Sequence, residues 1–159
     1  VLASNKVYCA FLGAFAERKT FFHGHTFTGS ALGCAAALEA LDILTEDGGA
    51  FLARVREETI PAFWRMLEPL RAHPLVGEVR GRGLMAGLEL VADRTTRVPF
   101  PFERRTAHRA VLAARKRGVN IRAIGDLLLA VPPLTIQPEE MELLGSVLRS
   151  SIASISKGE

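Results

Sequence analysis

Apolar residues along the chain follow two rhythms, one near the helical repeat and one strictly alternating, with glycine and proline punctuating the changes. Asn5 to Leu12 reads as a short helix closed by Gly13. After Gly29-Ser30, Leu38, Leu41 and Leu44 mark one stripe of a second helix running to about Thr45. Ala31, Ala35, Ala36, Ala37 and Ala40 around that stripe predict close backbone approach. Asp47-Gly48-Gly49 ends the helix. A third helical pattern covers Phe51 to Arg71, carrying Val55, Ile60, Phe63, Trp64, Leu67 and Leu70. Pro61 lies inside it; without an N–H, and with a ring that crowds the preceding turn, it should kink or split the helix.

Beyond Pro74 the rhythm changes, and Val76 to Val91 reads as two strands around a glycine-rich bend at Gly81-Arg82-Gly83. Asp93 to Phe102 is polar, contains Pro99 and Pro101, and reads as a loop. Glu103 to Arg117 is amphipathic through Ala107, Ala110, Val111 and Ala114, with Gly118 where a C-terminal cap belongs. Val119 to Arg122 and Leu127 to Val131 flank Gly125-Asp126 as a predicted hairpin. The last helix opens at Pro138-Glu139-Glu140 and buries Met141, Leu144, Leu148 and Ile152. From residue 30 the predicted order is α-α-β-β-α-β-β-α, an α+β layer with a mainly antiparallel sheet.

Composition narrows the class. At 159 residues, 48% hydrophobic and 23% charged, the chain is one globular domain or the larger part of one. Folding at this size removes about two-thirds of the unfolded surface from water, so neither disulfide nor structural metal is required. Cys9 and Cys34 form no disulfide framework and no C-x-x-C pair, and are expected to be reduced, buried, intracellular thiols. The longest stretch without a charged residue, Thr20 to Leu38, holds His23, His25, three glycines and four hydroxyl residues, which excludes a membrane-spanning helix. No secretory signal opens the chain, so a cytoplasmic protein with no membrane partner is expected. Val1 in place of Met points to a processed start or to the later part of something longer. The formal charge is +3, and all but four of the twenty basic residues are arginine.

Four segments could carry chemistry. The loop His23-Gly24-His25-Thr26-Phe27-Thr28-Gly29-Ser30 feeds the N-terminus of the alanine-rich helix, where free N–H groups and the helix dipole favour an anion such as phosphate. Capping by Thr28 or Ser30 explains the same residues with a single hydroxyl. A metal site on His23-x-His25 lacks a nearby cysteine or carboxylate cluster to complete it. Gly81-Arg82-Gly83 with Gly87 lacks the strand–glycine–helix order of a dinucleotide fingerprint and reads as a tight turn. Arg122, flanked by Ile121 and Ile124, is poorly placed for plain solvation, and its planar fork suits a substrate carboxylate. The alternative is an ion pair with Asp126 or Glu89. Arg104, Arg105, Arg109, Arg115, Lys116 and Arg117 have no interleaved aromatic residue, so they read as a solvated helix face and no nucleic-acid partner is expected.

Three stretches together resemble class III pyridoxal-phosphate aminotransferases: FFHGHTFTGSALGCAAALEAL (21 to 41), VGEVRGRGLMAGLEL (76 to 90) and GVNIRAIGDLLLAVPPLTIQPEEM (118 to 141). They follow family order and spacing over nearly the whole chain. VYCAFLGAF, KTFFHGHTFTG and RVPFPFERR bring the resemblance closest to the biotin-pathway branch; branches acting on ω-amino acids or 4-aminobutyrate, and a non-catalytic remnant, are the alternatives. The resemblance implies an α/β fold-type I transferase, with residues 1–33 the end of the cofactor-binding large domain and 34–159 the C-terminal small α+β domain. It also implies pyridoxal 5′-phosphate as cofactor, a small-molecule amino donor and keto-acid acceptor, and a homodimer with a shared active site. On the family pattern, the Thr26 hydroxyl reaches the cofactor phosphate of the neighbouring subunit and His25 contributes to that phosphate site. Gly24 lines the substrate pocket and Arg122 binds a substrate carboxylate. Lys6, Lys19, Lys116 and Lys157 all fall outside the family's Schiff-base lysine motif. Ser156-Lys157-Gly158 repeats three letters of that motif without its glycine-rich continuation. No catalytic residue is therefore assigned, and the chain alone is expected to be inactive.

Overall fold

The computed structural model describes residues 3–155, so Val1 and the Ser156-Lys157-Gly158 triplet lie outside the described residues. Contacts divide the chain into two compact units, residues 1–44 and 45–159.

In the first unit, helix α1 (Asn5–Ala10) starts where the Ser4 side chain accepts a hydrogen bond from the Val7 N–H at 3.4 Å. A single 3-10 turn (Phe15–Glu17) follows, then the loop that leads into helix α2. Helix α2 is assigned to Ala31–Arg54 but leaves helical geometry at Glu46–Gly49, where Asp47, Gly48 and Gly49 all take positive φ. The predicted break at Asp47-Gly48-Gly49 is thus present. Between residues 3 and 44 no described residue is buried. Cys9 and Cys34 are accordingly exposed, which corrects the expectation of buried thiols. The reason is packing: the apolar residues of this segment find no core among themselves, and Phe22, Leu32 and Leu38 stand open.

The second unit has what the first lacks. Its helical entry changes form twice, and each change sits at a proline. Val55–Thr59 is a π turn directly ahead of Pro61, which occupies the first turn of helix α3 (Ile60–Leu67), and Pro69 opens a 3-10 turn over Glu68–Ala72. Widening the turn ahead of Pro61 accommodates the missing N–H and the ring. Strands β1 (Val76–Arg82), β2 (Met85–Leu90), β3 (Arg122–Ile124) and β4 (Leu127–Ala130) form an antiparallel sheet in the order β1-β2-β4-β3. The first bend falls at Gly83-Leu84, because Arg82 pairs with Met85. Gly81 is fixed by close approach: a Cβ there would run into the Met85 carbonyl oxygen.

Helix α4 (Thr106–Arg115) begins three residues later than expected, since Phe102–Arg104 forms a 3-10 turn and Arg105 takes φ 48°. Its end matches a Schellman closure: the Gly118 N–H bonds the Arg115 carbonyl and the Val119 N–H bonds the Ala114 carbonyl, both at 3.1 Å, with Gly118 at φ 81°. Helix α5 (Pro138–Ile155) is capped at its start, where the Gln137 N–H donates to Glu140 Oε2 at 2.9 Å. One core joins Phe63 and Leu67 of α3, Ala110 and Ala114 of α4, Leu148 and Ile152 of α5, and Leu88 and Leu128 of the sheet. The predicted order α-α-β-β-α-β-β-α is the observed one.

Sheet alternation then decides what faces outward. Val79, Ala86, Leu88, Leu128 and Ala130 point into the core. Arg80, Glu89, Leu127, Leu129, Arg122 and Ile124 share the opposite face.

Candidate functional site

Gly24, His25 and Thr26 lie together in the loop ahead of α2. Local hydrogen bonds use up their hydroxyl neighbours: Thr28 Oγ1 accepts the His25 N–H at 3.1 Å, and Ser30 Oγ accepts the Gly33 N–H at 3.4 Å. Ser30 is therefore the helix cap and Thr28 closes the turn, as the capping alternative required. The Thr26 hydroxyl and the His25 ring have no hydrogen-bond partner among the described residues, and both side chains are exposed. A Cβ on Gly24 would meet nothing within 4 Å, so no neighbour within the unit requires glycine there. The two donors left free suit an anionic group such as a phosphate, while the hydroxyls beside them are spent on structure.

Arg122 belongs to the other unit. It opens β3 opposite Leu129, and Leu129 is opposite Gly87, which in turn is opposite Arg80. These four positions form one row across the outer face. Arg80 is neutralised: its Nη1 lies 2.7 Å from Glu89 and 2.9 Å from Glu78, and pairing with Glu89 first and Glu78 second raises its pKa. Glu89, one of two acids weighed as a partner for Arg122, is thus engaged elsewhere. Asp126 makes no ion pair with Arg122 either. Contrary to the expectation of poor solvation, Arg122 is exposed, because strand alternation buries Ile121 and turns Arg122 and Ile124 outward. The result is an unpaired guanidinium beside Leu127, Leu129 and Ile124, able to grip a carboxylate with two parallel hydrogen bonds.

Among the described residues no group of three or more His, Cys, Asp or Glu side chains gathers as a metal site, and no helix is long and apolar enough to cross a membrane.

The aminotransferase class-III family model matches residues 1–152, and the chain belongs to that family. Within it, the chain is 44% identical over 156 residues to an adenosylmethionine-8-amino-7-oxononanoate aminotransferase of Nitratidesulfovibrio vulgaris, covering 98% of this chain and 28% of the relative. A putrescine–pyruvate aminotransferase of Pseudomonas aeruginosa is 36% identical over 136 residues, covering 83% of this chain and 28% of the relative. Among solved structures, the adenosylmethionine-8-amino-7-oxononanoate aminotransferase of Methanocaldococcus jannaschii superposes with a TM-score of 0.83 at 36% identity, over 95% of this chain and 34% of that one. The PMP-bound form of an aminotransferase from Vibrio fluvialis gives 0.76 at 26% identity, over 90% of this chain and 31% of that one. The fold is therefore part of a fold-type I transferase, and the chain spans about a third of the length of the relatives it matches.

Proposed function

We propose that this chain is the C-terminal part of a pyridoxal 5′-phosphate-dependent transaminase that moves an amino group from adenosylmethionine to 8-amino-7-oxononanoate, giving 7,8-diaminononanoate in biotin synthesis. The observation that carries this reading is the 44% identity to an enzyme of that name over 98% of the chain. Residues 1–33 then end the cofactor-binding large domain and residues 34–159 form the small domain, in a cytoplasmic homodimer. The lysine that forms a Schiff base with the cofactor lies outside these 159 residues, and the chain alone does not transaminate.

When bound, the cofactor supplies an electron sink for the proton removal that transamination requires. This chain's residues bind and orient. Thr26 donates its hydroxyl to the cofactor phosphate in the neighbouring subunit, and His25 adds an N–H to the same phosphate. Gly24 keeps the adjoining wall free of a side chain, so that substrate can approach. Arg122 grips the carboxylate of the keto-acid acceptor and fixes the distance from that end of the chain to the reacting carbon. The free state of Thr26 and of Arg122, beside neighbours already engaged, supports these roles.

The putrescine–pyruvate relative favours one second reading, an ω-amino donor with pyruvate as acceptor. Product analysis of the intact protein separates the two. Diaminononanoate formed from adenosylmethionine and 8-amino-7-oxononanoate is expected. Efficient use of pyruvate with no turnover of 8-amino-7-oxononanoate would overturn the biotin assignment.

A further inference from the structure

A cavity of about 270 Å³ opens between the start of α4 and the turn joining β3 to β4. It lies just below the roughly 300 Å³ at which small-ligand pockets begin. Val111 and Ala123 give it an apolar wall, and Phe102, 83% exposed, stands at its edge as an open aromatic face. Arg105, His108 and Asp126 supply its polar groups. None of the three is paired with another, or with any other described side chain. Ala123 follows Arg122 in β3, and strand alternation puts the cavity on the side of the strand away from Arg122.

This set of groups selects by charge. A simple carboxylate would satisfy Arg105 and His108 but face the Asp126 carboxylate; a simple amine would satisfy Asp126 but face the Arg105 guanidinium. A molecule carrying both groups on one carbon atom meets both demands, with its side chain left for Phe102, Val111 and Ala123. We propose that this cavity binds a free α-amino acid in its zwitterionic form, with the carboxylate on Arg105 and His108 and the ammonium on Asp126. An apolar or aromatic side chain is preferred. The site is separate from the Arg122 face and does not depend on the transaminase reading.

Isothermal titration of the intact protein with L-phenylalanine tests it, with N-acetyl-L-phenylalanine and phenethylamine as controls that each lack one charge. L-phenylalanine should bind, and each control should bind at least about tenfold more weakly, the loss of one charge-assisted contact. Asp126→Asn and Arg105→Gly should each weaken L-phenylalanine by a similar factor. Glycine suits the positive φ at position 105, so that variant removes the cation without straining the backbone. Arg122→Ala should leave this affinity unchanged. No binding up to the solubility of the probe, equal binding of the controls, or binding that survives Asp126→Asn but is lost in Arg122→Ala would overturn the proposal. The last result would place the amino acid at the substrate site, and product analysis judges that site independently.

Discussion

Residues 3–44 and 45–155 both carry apolar residues at helical spacing, yet only the second segment closes a core. In it, the stripes of α3, α4 and α5 meet one face of a four-stranded sheet and exclude water from Phe63, Leu88, Leu128 and Leu148 altogether. In the first, the Phe11 and Phe21 rings meet at a tilt with centroids 5.3 Å apart and Phe21 and His23 do so at 5.4 Å, but all three rings remain exposed. A periodic pattern specifies an element; burial needs a second face for that element to meet. Apolar surface left open on this scale marks a surface for interaction, which accords with the proposed place of residues 1–33 in a dimer with a shared site.

The largest expected effect sharpens that contrast. Phe63→Ala should cost about 3–5 kcal/mol, as for other aromatic truncations in a packed core. In the isolated 159-residue chain Phe22→Ala should stay within about 0.5 kcal/mol, as for an exposed position. Denaturant unfolding followed through Trp64, the only tryptophan, reads both. Similar costs for the two variants would erase the distinction between the segments. A smaller effect comes from His73, whose Nδ1 accepts the Leu75 N–H at 3.2 Å and whose pKa burial lowers. Because the folded value lies below the unfolded value of about 6.5, the unfolded chain takes up the proton first as pH falls. The contribution of neutral His73 is therefore complete above that value and is lost as pH drops through the window down to the folded pKa. An NMR titration of His73 with a midpoint below about 6.5, alongside a falling Tm across that window, is expected; a midpoint at or above 6.5 would contradict it.

Much of the second segment was legible because local and tertiary demands agree there. Ala107, Ala110, Val111 and Ala114 were spaced for one helix face, and all four are buried. Gly118 and Gly125-Asp126 stand where the closure of α4 and the hairpin turn need them. The π turn before Pro61 and the positive φ at Arg105 were not legible, since they settle how a proline and a short 3-10 turn are accommodated in space. The exposure of Cys9 and Cys34 was misread because small apolar residues say nothing about whether a partner surface exists. The outward turn of Arg122 follows from its place one residue after Ile121: successive side chains of an extended strand face opposite sides, so the arginine turns away from the buried Ile121. The engagement of Glu89 had no signal in the sequence, because it depends on the register that brings Arg80 beside it. Arg105 and His108 come from one stretch at the start of α4 and Asp126 from another, and the three share no motif.

In the proposed function Arg122, left unpaired on the outer face of the sheet, anchors the carboxylate of the acceptor. Steady-state kinetics of the intact protein and its Arg122→Ala variant, with 8-amino-7-oxononanoate and with its methyl ester, test this most directly. A charge-assisted hydrogen bond contributes about 1.5–3 kcal/mol, so the variant should raise KM for the free acid by about ten- to a hundredfold and leave the ester nearly unaffected. An equal change for acid and ester, or none for either, would contradict the assignment.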